Sequence, residues 1–253
     1  MRLLIFSDLD GTLLDHASYE YRPALPMLSR LRRMGAVVVL ASSKTEAEIA
    51  DWQEVLGLSD WPAIVENGAS VGEGRFDDRD YRRIRAVLAR LNAPFRGFGD
   101  MGVAEVARVT GLAPESAAKA CRRAHSEPGL WLGTDEALPG FLDALAREGI
   151  HARRGGRFLT LSFGGTKAGQ MAALTARYAP EVTVALGDAP NDAEMLEAAD
   201  YGIVVRNSHG PGLPPLKGEN DGRILRTGAE GPAGWVEGME ALLARLGIGE
   251  TDG

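Results

Sequence analysis

The stretch Leu3-Leu4-Ile5-Phe6-Ser7-Asp8-Leu9-Asp10-Gly11-Thr12-Leu13-Leu14 decides how the rest of the chain is read. Its opening apolar run, Leu3 to Phe6, reads as a buried strand. The run meets two carboxylates spaced i, i+2 and then a Gly-Thr turn. In extended chain, residues i and i+2 point to one face. Asp8 and Asp10 are therefore expected side by side at the carboxyl end of a strand. In open α/β sheets that edge is where ligands bind. Two adjacent carboxylates repel unless a cation or a shared proton relieves them. A metal is implied before any other segment is read.

The flanking segments supply the sheet. Pro23 opens a helix ending near Met34, with Gly35 as its stop. Ala36 to Ala41 is wholly apolar and reads as a central strand. Thr45 and Glu48 have the capping-box spacing for a helix reaching about Leu56. Ala63-Ile64-Val65 reads as a third strand, and Gly68 to Gly74 as a hairpin or turn. This β-α-β-α order predicts a parallel sheet.

The character changes from about Arg79. Helices are expected around Ile84 to Leu91, Met101 to Thr110 and Pro114 to Arg123. A strand is expected at Gly129 to Gly133, and a helix capped by Thr134 or Asp135 to about Glu148. Ile150 to Arg153 and Arg157 to Phe163 alternate around Arg154-Gly155-Gly156 as a hairpin. The first pattern then returns. A helix opens at Thr166 and Lys167, and strands are expected at Val182 to Leu186 and Tyr201 to Val205. Asn207 to Gly234 reads as a long loop, Trp235 to Leu246 as a helix, and the acidic end as frayed. The expected organisation is a core from residues 1–80 and 166–253, interrupted by an inserted α/β unit, 81–165. Hinges are expected near 79–83 and 163–166.

Composition narrows the class. The chain has 253 residues, 45% hydrophobic and 25% charged, as in ordinary globular proteins. A net charge of -7 argues against a nucleic-acid groove or an anionic membrane partner. The single cysteine, Cys121, excludes an intramolecular disulfide and a cysteine-based zinc site. No apolar run approaches the ~18–20 residues of a membrane span, and a cytoplasmic location is expected. Lysines are scarce, and two of them, Lys44 and Lys167, fall beside suspected chemistry.

Three expected core strands end in complementary polar residues: Asp8 and Asp10; Ser42 and Ser43; Asp188 with Asn191 and Asp192. Carboxylates from two strand ends suit a hard oxygen-ligated cation, typically Mg²⁺. A lysine, a hydroxyl and backbone N–H groups at a helix start suit a phosphate. The set describes phosphoryl transfer. One carboxylate attacks phosphorus, and a second, two residues away, moves the proton.

These residues resemble the haloacid-dehalogenase (HAD) superfamily. Asp8-Leu9-Asp10-Gly11-Thr12 resembles its first motif, Val37 to Ser42 the second, Lys167 the third, and Gly187-Asp188-Ala189-Pro190-Asn191-Asp192 the fourth, all in order. The resemblance implies a Rossmann-like parallel-sheet core and, in the Cof-type branch, an inserted, mobile α/β cap of the C2B type. It implies Asp8 as nucleophile and Asp10 as general acid/base. It implies Mg²⁺ held by Asp8, the Asp10 carbonyl and Asp188, with Asp192 near or in the shell. Ser42 and Lys167 would hold phosphate, and Asn191 would support Lys167 or the metal site. Ala41-Ser42-Ser43-Lys44-Thr45, Glu66-Asn67-Gly68, Ser126-Glu127-Pro128 and Gly156-Arg157-Phe158 resemble the mannosyl-3-phosphoglycerate phosphatase family within that branch. One position departs: Ala124-His125 stand where an acidic–aromatic pair is expected. The partner implied is a small phosphorylated sugar–glycerate, with a monomer and a dimer both open.

Bland readings stand beside these. Lys44 is a substrate or phosphate ligand, or a solvated lysine at a helix start. Gly164-Gly165-Thr166 is a hinge, or offers N–H groups to an anion. Arg122, Arg123, Arg153, Arg154 and Arg157 are expected on the solvated surface, with Arg157 a candidate clamp for the glycerate carboxylate. Competing functions are a phosphatase for glucosyl-3-phosphoglycerate or a disaccharide phosphate, a phosphomutase, and a phospho-accepting receiver domain.

Overall fold

The computed structural model describes residues 2–155, 157–210 and 212–248. Gly156 of the expected hairpin turn and the acidic chain end lie outside the described residues. In chain order the elements begin with β1 (Leu3–Ser7), α1 (Leu25–Arg33), β2 (Val37–Leu40), α2 (Glu46–Leu56), β3 (Ala63–Val65) and β4 (Ser70–Gly72). Then come α3 (Arg79–Leu91), β5 (Phe95–Gly97), α4 (Val103–Thr110), α5 (Pro114–Ala120), β6 (Ser126–Trp131), α6 (Leu138–Arg147), β7 (His151–Gly155) and β8 (Phe158–Ser162). The last are α7 (Lys167–Tyr178), β9 (Val182–Gly187), α8 (Ala193–Ala198), β10 (Tyr201–Arg206), β11 (Ile224–Glu230) and α9 (Gly231–Arg245). The residues group into two compact units. One is Met1–Ser42, Gln53–Ala63 and Lys167–Gly253; the other is Ser43–Trp52 and Ile64–Thr166.

The first unit holds a five-stranded parallel sheet of order β11-β10-β9-β1-β2. β1 lies between β2 and β9, and Leu3 to Phe6 are fully buried. That is why its sequence is apolar throughout rather than alternating. Gly35 ends the α1 turn with φ +71°, a conformation glycine adopts without penalty.

The C-terminal helix is longer than its sequence suggests. It starts at Gly231, inside the stretch expected as loop, and carries glycines where it meets the sheet. A Cβ at Gly234 would lie 2.2 Å from the Ala229 carbonyl oxygen, and one at Gly238 would lie 2.4 Å from Ile203 Cγ2. Glycine lets the helix sit flush, so that Trp235 is fully buried and its Nε1 donates to Ser7 Oγ at 3.0 Å. β11 was hidden in the same stretch. It is an edge strand in which only Ile224 and Thr227 are buried, so it lacks the apolar run that marks β9 and β10.

The second unit carries an antiparallel sheet of order β5-β6-β8-β7. Ile84, Val87, Phe141 and Leu145 of α3 and α6 pack with Phe95, Leu159 and Leu161. Val106, Val109 and Ala117 of α4 and α5 pack with Phe98, Met101 and Phe158. Leu159 and Phe158 are neighbours on one strand, so the two helix pairs cover opposite faces. β6 begins at Ser126, three residues earlier than expected, because Ser126 and Glu127 are buried among polar partners. β5 is a short strand with no signal of its own. β3 pairs with β4 in a separate two-stranded sheet and does not join the parallel one.

Glu127 is the most deeply buried carboxylate of this unit. Its Oε1 accepts from Gly99 N and Arg85 Nη1, each at 2.9 Å. Burial nevertheless pushes its pKa up to about 7. A raised carboxylate means the folded state holds the proton more tightly than the unfolded one. Stability from this group is then full below about 4.5 and declines as pH rises to about 7. Urea titrations of wild type against Glu127→Gln are expected to show a wild-type loss on the order of 3 kcal/mol across that window. The variant should lack this group's share of the slope. A second expectation concerns Gly234→Ala. Helix propensity alone would stabilise it by about 1 kcal/mol. The clash with the Ala229 carbonyl reverses the sign, and urea unfolding should register a net loss of about 2 kcal/mol.

Candidate active site

Asp8 is the first residue past β1, and its N–H continues the ladder by donating to the Leu186 carbonyl at 3.0 Å. The chain then folds into a tight loop. Thr12 N and Leu14 N both donate to the Leu9 carbonyl, at 3.2 and 2.8 Å, and Gly11 N donates to the Leu14 carbonyl at 2.9 Å. Gly11 has φ +84°, and a Cβ there would lie 2.7 Å from Asp188 Oδ2. Both the backbone angle and the space demand glycine.

The residues that meet around Asp8 come from the far end of the chain. Lys167, the first residue of α7, donates from Nζ to Asp8 Oδ1 at 2.6 Å and to Asp192 Oδ1 at 2.7 Å. It is 2% exposed. Asp188, just past β9, accepts from Thr12 Oγ1 at 2.6 Å and from Asn207 Nδ2 at 2.5 Å. Asp192 Oδ2 accepts the Asp188 and Ala189 N–H groups, each at 3.2 Å, which folds the 188–192 turn back on itself. Gly187 is required there, because a Cβ would lie 2.5 Å from Asp192 Cβ.

The electrostatics follow from three buried carboxylates and one ammonium. Burial pushes the Asp8 carboxyl well up, Asp192 and Asp188 push the same way, and Lys167 pulls it back. Asp188 is raised too, first by burial and then by Asp192, against the hydrogen bonds from Thr12 and Asn207. Burial disfavours the charge on Lys167, but Asp192 and Asp8 outweigh it and hold the ammonium protonated. The short Nζ–Oδ1 distance identifies Asp8 and Lys167 as an ion pair.

Three carboxylates crowd together here. Oxygens of Asp8, Asp188 and Asp192 lie within 4.8 Å of one another, and Asp10 is not in that group. β1 ends at Ser7, so the period-two alternation does not carry through to Asp10. Asp10 sits half-buried in the loop, its backbone bridged to Leu14. An excess of buried oxygen anions over cations, with no nitrogen or sulfur donor among them, fits a hard divalent cation.

The other candidates fall as follows. Ser42 is buried just past β2, beside Ala41, whose N–H donates to the Ser7 carbonyl at 2.8 Å. Asn191 is exposed on the turn before α8. Ser43, Lys44, Arg157 and Thr166 belong to the second unit, where Lys44 is buried and Ser43 and Arg157 are exposed. Arg123, expected on the solvated surface, is buried, because the Glu66 carboxylate is its partner. Thr12 and Asn207 were not singled out by sequence. Asn207 is the first residue after β10, and strand-end position is the signal that could have found it.

A profile of the haloacid dehalogenase-like hydrolases matches residues 5–85 and 164–211, just over half of the chain. Solved structures are similar over nearly the whole length. A phosphatase of the HAD superfamily from Bacteroides thetaiotaomicron is 18% identical, with 98% of this chain and 96% of that one covered and a TM-score of 0.65. The sucrose-phosphatase from Synechocystis, solved with sucrose and phosphate, is 18% identical, with 98% and 99% covered and a TM-score of 0.63. A sugar phosphatase of HAD subclass IIB is 17% identical, with 97% and 99% covered and a TM-score of 0.62. At these identities the likeness is one of fold.

Replacing Lys167 by Met should strand the buried carboxylates. Urea unfolding in the presence of a chelator is expected to show a loss of about 3–5 kcal/mol. Adding Asp192→Asn to that variant should return part of the loss, since it removes one of the stranded charges.

Proposed function

The chain belongs to the haloacid dehalogenase-like hydrolases, and on that premise we propose that it is a Mg²⁺-dependent phosphatase acting through Asp8. The observation that carries the reading is Lys167 held between Asp8 and Asp192 in a buried carboxylate cluster at the sheet's carboxyl edge. Such a cluster is costly unless it works on charge. Asp8, the Asp10 carbonyl, Asp188 and Asp192 would hold the cation. When bound, it supplies charge neutralisation of phosphoryl oxygens.

The chain's own residues do the rest. An Asp8 oxygen attacks phosphorus, and the bond from phosphorus to the ester oxygen of the substrate, the glycerate 3-oxygen in the compound proposed below, breaks. Asp10 gives its proton to that leaving oxygen. Asp10 then takes a proton from water as the water attacks the aspartyl phosphate, and the bond to Asp8 breaks to release phosphate. Lys167 and Ser42 hold the phosphoryl oxygens, and Asn191 and Thr166 line their approach. Thr12 and Asn207 fix the orientation of Asp188.

The substrate we propose is mannosyl-3-phosphoglycerate, cleaved to mannosylglycerate and phosphate, a step of compatible-solute formation. Ser42-Ser43-Lys44 and Glu66-Asn67-Gly68 support that choice. The segment 81–165 acts as the selecting cap, with Ser43 and Lys44 contributing to substrate binding and Arg157 reading the glycerate carboxylate.

Phosphate release with Mg²⁺ over mannosyl-3-phosphoglycerate, glucosyl-3-phosphoglycerate and disaccharide phosphates tests this directly. The mannosyl compound is expected to have the highest kcat/KM. Asp8→Asn should abolish turnover, and Asp10→Asn should lower kcat about 10²–10⁴-fold. Turnover that survives Asp8→Asn or chelation would overturn the mechanism. Phosphate handed to a sugar hydroxyl instead of water would identify a mutase.

A further inference from the structure

Glu66 stands in a conformation that few residues with a side chain adopt. Its φ is +51°, that of Asn67 is +59°, and Gly68 follows at +86°. Asn and Gly adopt this backbone readily, but Glu66 is strained in it, and such strain persists only where surrounding contacts over-determine it. Here the contacts are explicit, and all lie within the second unit. The buried Glu66 carboxylate accepts from Ala124 N at 2.9 Å, His125 N at 3.2 Å and Ser126 Oγ at 2.7 Å. Arg123 Nε lies 3.3 Å from Glu66 Oε2, with side-chain exposures of 5% and 1%. Arg123 Nη2 also donates to Ser126 Oγ at 2.7 Å.

The same pair holds the segment after β2. Glu66 N donates to the Lys44 carbonyl at 2.9 Å. Arg123 Nη1 and Nη2 point to the Ser43 carbonyl at 3.4 and 3.5 Å. The next residue, Thr45, is pinned by Glu48 Oε2, which accepts its N–H at 2.9 Å, and by the Lys119 carbonyl, which accepts its hydroxyl at 3.1 Å. The Ser43 and Lys44 carbonyls are thus tied to two different segments, and Thr45 is fixed by its own helix start and by its hydroxyl bond to Lys119. Pre-organised backbone lowers the ordering cost that a ligand would otherwise meet.

We propose that the Glu66–Arg123 ion pair is a positioning device that sets the Ser43–Lys44 backbone for the sugar end of the substrate and leaves the phosphoryl chemistry to the first unit. The inference rests on the sugar-phosphatase reading. It joins three stretches that stand apart in sequence, Ser43-Lys44, Glu66-Asn67-Gly68 and Arg123 to Ser126, into one buried network. Neither Glu66 nor Arg123 touches the reacting atoms in this role. Both act through the backbone they hold.

The test compares two substrates, mannosyl-3-phosphoglycerate and the small ester p-nitrophenyl phosphate, each with Mg²⁺. Glu66→Gln and Arg123→Met are made singly and together. The double variant removes both charges and leaves neither one buried alone. It should therefore recover thermal stability relative to either single variant. KM for mannosyl-3-phosphoglycerate is expected to rise about tenfold or more in all three, with kcat changed little. For p-nitrophenyl phosphate, kcat/KM should change less than about threefold. A merely structural pair predicts otherwise: KM would return with stability in the double variant, and that result overturns the proposal. Equal losses on both substrates would overturn it as well. If wild type hydrolyses p-nitrophenyl phosphate and leaves the mannosyl compound intact, the substrate reading fails by itself. The variants are then compared on the best sugar phosphate of the panel, where an unchanged KM overturns the positioning role.

Discussion

The Nζ of Lys167 lies 2.6 Å from Asp8 Oδ1 and 2.7 Å from Asp192 Oδ1, in a place nearly closed to water. Around it, three loops that leave strand ends take their shapes. Asp192 can reach the ammonium only because it also closes the 188–192 turn through two backbone N–H groups. Asp188 is then presented to Thr12 and Asn207, and the Gly11 loop has to pass it without a side chain. One cation among three buried carboxylates leaves the site short of positive charge. That shortage, more than any single hydrogen bond, is what makes it a place for chemistry.

The Lys167 cluster and the Glu66 site solve the burial of charge in different ways. In the first, carboxylates share a lysine and keep a deficit. In the second, Glu66 is satisfied by two N–H groups, a hydroxyl and a guanidinium. Full satisfaction of this kind rigidifies, whereas a deficit invites a ligand. The contrast separates a group that holds shape from groups that work on charge, although all are buried acids.

Much of this was legible from sequence, and for definite reasons. β1, β2, β9 and β10 are buried on both faces and so announce themselves as apolar runs; the polar residues at their ends are the site. Lys167 stood out because lysine is rare in this chain. The misreadings share a cause. Arg123 looked like one more surface arginine because its partner, Glu66, lies on another segment. β11 was hidden because an edge strand needs no apolar run, and the start of α9 by glycines that allow close approach, which a one-dimensional reading takes for loop. Local pattern was informative, and long-range pairing was not.

The order of the strands bears on how the protein is made. β1 is bordered by β2 on one side and β9 on the other, and β9 begins at Val182. A ribosome therefore delivers the central strand first and its second neighbour only after more than half the chain has emerged. Until then β1 presents one open hydrogen-bonding edge of wholly apolar sequence, the kind of template on which chains mispair. Meanwhile the second unit has its own sheet and clusters and can fold as a unit during synthesis. The long interval between Asp8 and Lys167 thus delays assembly of the charged centre until the whole second unit has been made.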